Sequence, residues 1–187
     1  MRLSPIARPP TLVGRLLDAA IRRTLGRSIT PSQVVYNRVP AAWWISLSFQ
    51  LFERAGAKLP AELRLLATTR VAQLNGCAFC QDIKRATAIR ERLGTAKFDA
   101  LDQWRTSAAF SDRERAALAF VEQAALALAV DDAVYAEAAR HFDEREIAEL
   151  ALINAIENFY NRMNLALGID SSDGLEAIAR AETGRSG

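Results

Sequence analysis

Arg70-Val71-Ala72-Gln73-Leu74-Asn75-Gly76-Cys77-Ala78-Phe79-Cys80 carries both cysteines of the 187-residue chain, three positions apart. Upstream of them Leu63, Leu66, Ala67, Val71 and Leu74 recur at spacings of three and four, the period of an amphipathic helix. Pro60 stands at the start of that run, where its missing N–H does no harm. Asn75-Gly76 is a strong breaker pair. The pattern resumes at about Ala78 and runs to Leu93, where Gly94 stops it. Both thiols are thus expected in the first turn of a helix that directly follows another helix.

A CxxC pair has three common uses. Structural zinc usually takes four ligands, and this chain offers two Cys and one distant His, His141. Buried inert thiols are the second use, because free Cys is among the most buried residue types. The third is thiol–disulfide chemistry, in which one thiolate reacts and the other resolves the product. The unpaired N–H groups of a first helical turn favour a thiolate there. Lys84 and Arg85, one turn on, add positive charge, and Asp82 opposes it. A thioredoxin-type reading needs a βαβ context. Helices precede and follow this motif, which excludes it.

Outward from the motif the same helical periods continue. Helices are expected over Thr11–Leu25, Ala41–Ala55, Lys97–Trp104, Ser111–Ala129, Asp132–Phe142, Asp143–Leu167 and Leu175–Ala181. Ser111-Asp112-Arg113-Glu114 fits a capping box. Gly and Pro fall between the periodic runs, and no segment alternates as a strand does. The fold class is all-α, with about eight helices.

Composition agrees with a folded domain: half of the residues are hydrophobic and 25% are charged. A net charge of +2 is too small to argue for nucleic acid. No run approaches the ~18 apolar residues that span a bilayer. The first residues lack the apolar core of a signal peptide, so the expected location is cytoplasmic and no membrane partner is expected. Residues 1–30 are unbalanced, with Arg2, Arg8, Arg15, Arg22, Arg23 and Arg27 against Asp18.

The motif resembles the R-V-A-x-L-N-G-C-x-x-C run of AhpD-like proteins in the carboxymuconolactone decarboxylase family. Glu149-Leu150-Ala151-Leu152 and the run from Asn158 to Ile169 are similar to the last core helix of those proteins. The resemblance covers about residues 40–170. It implies an AhpD-like helical bundle over 39–182, with a basic one-helix extension at 1–38 and a polar tail at 183–187. It implies a homo-oligomer (dimer, trimer or hexamer) and thiol-dependent peroxidase or disulfide oxidoreductase activity. Substrates would be hydroperoxides or disulfides, an external dithiol would be the reductant, and no metal or other cofactor is required. By position, Cys80 would attack the peroxide and Cys77 would resolve the product. The attacking thiol would be accessible and of low pKa.

The chain departs from the family's proton relay at two places. The family Glu, twelve residues before the first Cys, is Leu65 here, and the family His, four after the second, is Lys84. Candidate replacements are Glu62, Asp82, Lys84, Glu157 and Asn161. The plainer reading of Glu62 and of Asp82 is an acid near a helix start. Glu157 and Asn161, one turn apart in an apolar run, need buried partners whether or not they line a pocket. His141 reads as a charge near a helix C-terminus, and Trp43, Trp44, Phe49 and Phe52 read as core or subunit interface. Two other functions stay open: a degenerate member acting as a binding module, and a lactone-type decarboxylase.

Overall fold

The computed structural model describes residues 1–184, which form nine α-helices, eight of them of eight residues or more. They are α1 Leu12–Leu25, α2 Ala42–Leu51, α3 Ala61–Leu74, α4 Ala78–Arg90 and α5 Ala96–Asp99. The chain continues through α6 Asp112–Ala127, α7 Asp132–Ala139, α8 Glu144–Ala166 and α9 Leu175–Thr183. Among the described residues there is no strand, and no helix is long and apolar enough to cross a membrane.

Helix α3 lies at the centre. Leu63, Ala67 and Val71 pack with Phe120 and Val121 of α6 and with Leu150 and Ile153 of α8. Leu66 turns the other way, onto Phe98, Leu101, Trp104 and Leu118. Ala72, at its C-terminal end, joins both cysteines, Leu175 and Ala179 of α9 in a third cluster. The helix is therefore buried on several sides, where its apolar period alone suggests one face.

Local rules set most of the helix starts. Ser111 and Glu114 form the expected capping box at α6, and Asp143 and Glu146 form another at α8. Three segments differ from expectation. The helix expected to Ala55 stays α-helical only to Leu51 and closes as a π turn over Phe52–Gly56, with Ala57 N bonded to Phe52 O at 2.9 Å. The linker between Pro31 and Pro40 contains a π turn at Ser32–Tyr36. The short helix expected at Lys97–Trp104 is α5 followed by a 3₁₀ turn at Leu101–Gln103. The polar tail expected from 183 starts on the last residue of α9, and 185–187 lie outside the described residues.

The basic N-terminal segment runs over the end of α8. Arg2 N donates to Leu167 O at 2.8 Å, and Ile6 pairs with Gln33 and Asn37. Trp43 is buried against Tyr36, with ring centroids 4.6 Å apart, whereas Trp44 is exposed.

Glu149 of α8 ties the loop before α3 to the bundle. Its carboxylate accepts the N–H groups of Lys58 and Leu59, at 2.8–2.9 Å, and Arg145 Nε at 3.2 Å. Burial alone would raise its pKa. The N–H donors of Leu59 and Lys58, with Arg145, outweigh burial and hold the carboxyl below its ordinary 4.5. A depressed folded value contributes stability that is present above the unfolded value and lost as pH falls through the folded one. Glu149→Gln is expected to lower stability at pH 7 by about 1–3 kcal/mol. Urea titrations of this variant from pH 7 downward should also show a smaller loss than the parent below the ordinary carboxyl value of 4.5.

Candidate redox site

The turn between α3 and α4 positions both thiols. Gly76 has φ +72°, a left-handed conformation that costs an L side chain but not glycine. Its N–H bonds Gln73 O at 3.0 Å, and Cys77 N bonds Ala72 O at 2.9 Å. These two bonds are the paired closures of a Schellman motif, which ends α3 while satisfying its last carbonyls. Cys77 is thereby the residue that closes α3 and also the N-cap of α4, where its sulfur accepts Cys80 N at 3.3 Å. Cys77 and Cys80 are joined in a disulfide across this first turn, with Cα atoms 5.3 Å apart.

The accessible thiol expected from sequence is not found. Cys77 is fully buried and Cys80 is 3% exposed, inside the cluster of Val34, Phe79, Ala86, Ile169 and Leu175.

Helix α8 lays a polar stripe against this turn. Asn154, Glu157, Asn158, Asn161 and Asn164 share one face, each three or four residues from another of the set, and all except the half-buried Asn158 are buried. Asn75, the last residue before Gly76, donates through Nδ2 to Asn161 Oδ1 at 2.9 Å and to Asn158 Oδ1 at 3.0 Å. Asn161 Nδ2 donates to Glu157 Oε1 at 2.6 Å. Glu157 Oε2 faces the ammonium of Lys84 at 3.2 Å. Asn164 Nδ2 lies 3.5 Å from Cys80 Sγ, as its donor.

Lys84 lies one turn after Cys80 on α4. Burial pushes its pKa down. The Glu157 carboxylate beside it, reinforced by Glu53 on the π turn after α2, more than reverses this and holds the ammonium well above the ordinary lysine value. Lys84 is therefore a fixed positive charge at neutral pH and not a proton acceptor.

Of the residues singled out from sequence, the fold brings together Cys77, Cys80, Lys84, Glu157 and Asn161. Glu62 is engaged elsewhere, 3.2 Å from Lys97, which also pairs with Glu114. Asp82 accepts the N–H groups of Leu175 and Glu176, each at 2.9 Å, and so caps α9. Leu65 packs with the cluster around Leu66 and Phe98. His141 lies just past the end of α7, with Nε2 3.3 Å from Glu137 Oε1. Sequence reasoning passed over Asn75, Asn158, Asn164 and Glu53. The three-and-four spacing of the α8 stripe was the signal for Asn158 and Asn164, and nothing local marked Glu53.

A buried CxxC disulfide opening a helix after a Schellman turn, in an all-helical fold, defines the class of protein. The chain belongs to the carboxymuconolactone decarboxylase family, whose model matches residues 40–123. The uncharacterized protein YnjA of Escherichia coli (strain K12) is 34% identical over 172 residues, 90% of this chain and 93% of YnjA. An alkylhydroperoxidase AhpD core, an uncharacterized peroxidase-related protein from Ralstonia eutropha JMP134, superposes with a TM-score of 0.79 at 18% identity, over 95% of this chain and 98% of its own. The debrominase Bmp8 superposes with a TM-score of 0.75 at 24% identity, over 94% of each chain. These two likenesses show a shared fold.

The Lys84–Glu157 pair gives a test of how the site is held. Removing one partner of a buried pair strands the other charge, a cost of about 3–5 kcal/mol. Lys84→Met or Glu157→Leu alone, each leaving its partner's charge unmet, is expected to lower unfolding free energy on that scale, and Lys84→Met with Glu157→Leu to recover most of the loss in a double-mutant cycle. The raised lysine value sets the pH dependence. The pair's contribution is whole below the ordinary lysine value of 10.5 and is lost only as pH rises through the higher folded value. Urea titrations from pH 7 to 10 should therefore show a constant contribution from the pair.

Proposed function

We propose that the protein is a thiol-dependent peroxidase or disulfide oxidoreductase working through Cys77 and Cys80. The observation that supports this most is the disulfide itself, placed at a helix N-terminus against buried polar groups in an otherwise apolar core. A purely structural thiol pair needs neither a buried ammonium nor a carboxamide beside it.

In this reading Cys80 is the attacking thiol. Its thiolate is favoured by the first-turn N–H groups of α4 and by the Lys84 charge. It attacks the distal oxygen of a hydroperoxide. The S–O bond forms, the O–O bond breaks, and the alkoxide leaves and takes up a proton to become an alcohol. Cys80 is then a sulfenic acid. The Cys77 thiol displaces its hydroxyl, which leaves as water, and the disulfide forms. An external dithiol reduces that disulfide to two thiols and is itself oxidised, which suits a reducing compartment such as the cytoplasm. Glu157 and Asn161 hold Lys84 charged and in place; Lys84 does not act as a neutral base. The same reading takes the protein as a homo-oligomer, with the exposed Trp44, Ile45, Leu51 and Phe159 supplying apolar contact area.

Intact mass and thiol counts on the reduced protein, before and after one equivalent of an organic hydroperoxide, test the assignment. The expected result is loss of both thiols and of about two mass units, for the two hydrogens given up in disulfide formation. Cys77→Ser should instead gain one oxygen, trapped at Cys80, and Cys80→Ser should stay unreacted over the same time. Two thiols that survive in the parent would overturn the peroxidase reading and favour a binding module.

A further inference from the structure

We propose that Asn164 is a catalytic residue, whose side-chain N–H stabilises the Cys80 thiolate and whose carbonyl receives the O–H of the incoming hydroperoxide. This rests on the reading above that Cys80 is the attacking thiol.

Three observations carry it. Asn164 Nδ2 is 3.5 Å from Cys80 Sγ, the one side-chain donor that the described residues place on that sulfur. Asn164 is 1% exposed, so this contact is made away from competing water. Its Oδ1 is buried and has no hydrogen-bond partner among the described residues, an arrangement that folded proteins rarely leave unused.

The chemistry follows from the two ends of one carboxamide. A disulfide sulfur is a weak acceptor. After reduction the same atom becomes an anion, and a hydrogen bond to it is charge-assisted and stronger. The N–H therefore favours the thiolate over the thiol. The oxygen under attack in a hydroperoxide is the one that bears the hydrogen. Oδ1, fixed beside the N–H that grips the sulfur, is placed to accept that O–H and bring the distal oxygen against Sγ. No atom of Asn164 is transferred; sulfur gains the distal oxygen and the alkoxide leaves as before.

The pair also separates the two cysteines. Cys77 Sγ takes a backbone N–H, from Cys80, whereas Cys80 Sγ takes a side-chain donor from another helix. Lys84, one turn after Cys80, is surrounded by Glu157 of α8, Glu53 on the π turn and Tyr160 of α8, and Asp82, two residues after Cys80, is bound to the N–H groups of Leu175 and Glu176. Substitution at Asn164 leaves all of these in place.

The test uses full-length reduced protein carrying Cys77→Ser, with and without Asn164→Ala or Asn164→Asp, each checked for native helix content by circular dichroism. The rate of Cys80 alkylation by iodoacetamide is followed against pH. Loss of a charge-assisted donor is expected to move the midpoint up by about one pH unit, slowing alkylation at neutral pH by about tenfold. Asn164→Asp, which keeps the shape but brings a negative charge, should move it further. In a Cys80→Ser background the alkylation of Cys77 should be unaffected by Asn164→Ala. At a pH where Cys80 is fully ionised, the rate with cumene hydroperoxide should fall in Asn164→Ala while the alkylation plateau does not. Midpoints equal to the parent's, or a shift that appears equally at Cys77, would overturn the assignment. Cys80 that is alkylated as expected but inert to hydroperoxide in the Asn164-intact protein would sink the peroxidase reading instead and leave the thiolate contact standing. Should one Asn164 variant fail to fold, the other carries the same comparison.

Discussion

One left-handed residue organises the site. With Gly76 at positive φ, the last carbonyls of α3 are satisfied and the chain reverses within a single turn. Cys77 can then close one helix and cap the next. Its placement fixes the direction of α4, and that direction points Cys80 and Lys84 toward the polar stripe of α8. A side chain at this position would find open space but an unfavourable backbone, so the requirement is conformational and not steric.

The polar ladder that follows is costly to build. A buried ammonium and a buried carboxylate each lose hydration, and their attraction roughly offsets that loss only when the remaining lone pairs are also met. Here Asn161 meets one oxygen of Glu157, and Asn75 in turn holds Asn161. The chain of contacts runs from the C-cap of α3 through α8 to α4. It therefore ties the three helices that meet at the disulfide, and any error in the α3–α4 turn is felt at Lys84. A hydrophobic trio would hold these helices as well. What it would not supply is a fixed positive charge one turn from the disulfide.

Helix α9 closes the site from the other side. Asp82, two residues after Cys80, caps it, and Arg85 pairs with Glu176 at 2.8 Å. Helix α4 is thus packed between α3 and α9, and α8 reaches it through the side chains of Glu157 and Asn164. The Asp82 carboxylate is thereby engaged by two backbone N–H groups of another helix.

The all-α class, the α3–α4 break, the position of the thiols in a first turn and the capping box at Ser111 were legible in the sequence. Each rests on relations within four residues, and such relations survive in any fold the chain adopts. Glu62 and Asp82 looked alike from sequence, as acids near a helix start, and so did the claims of Glu157 and Asn161 to a pocket or to a structural bond. Contacts across the chain separated them. Asp82 meets Leu175 across 93 residues, and Asn164 meets Cys80 across 84. The π turn that brings Glu53 toward Lys84 had no local marker, because an apolar helical period continues through it. The burial of the disulfide was likewise invisible: two thiols at a helix start can face water or core, and only the packing of α3 and α9 against α4 decides which. Local periodicity therefore determined which elements form and where the sulfurs sit on them. Tertiary packing alone decided what surrounds those sulfurs, because hydration, charge pairing and hydrogen-bond partners depend on neighbours that are distant in the chain.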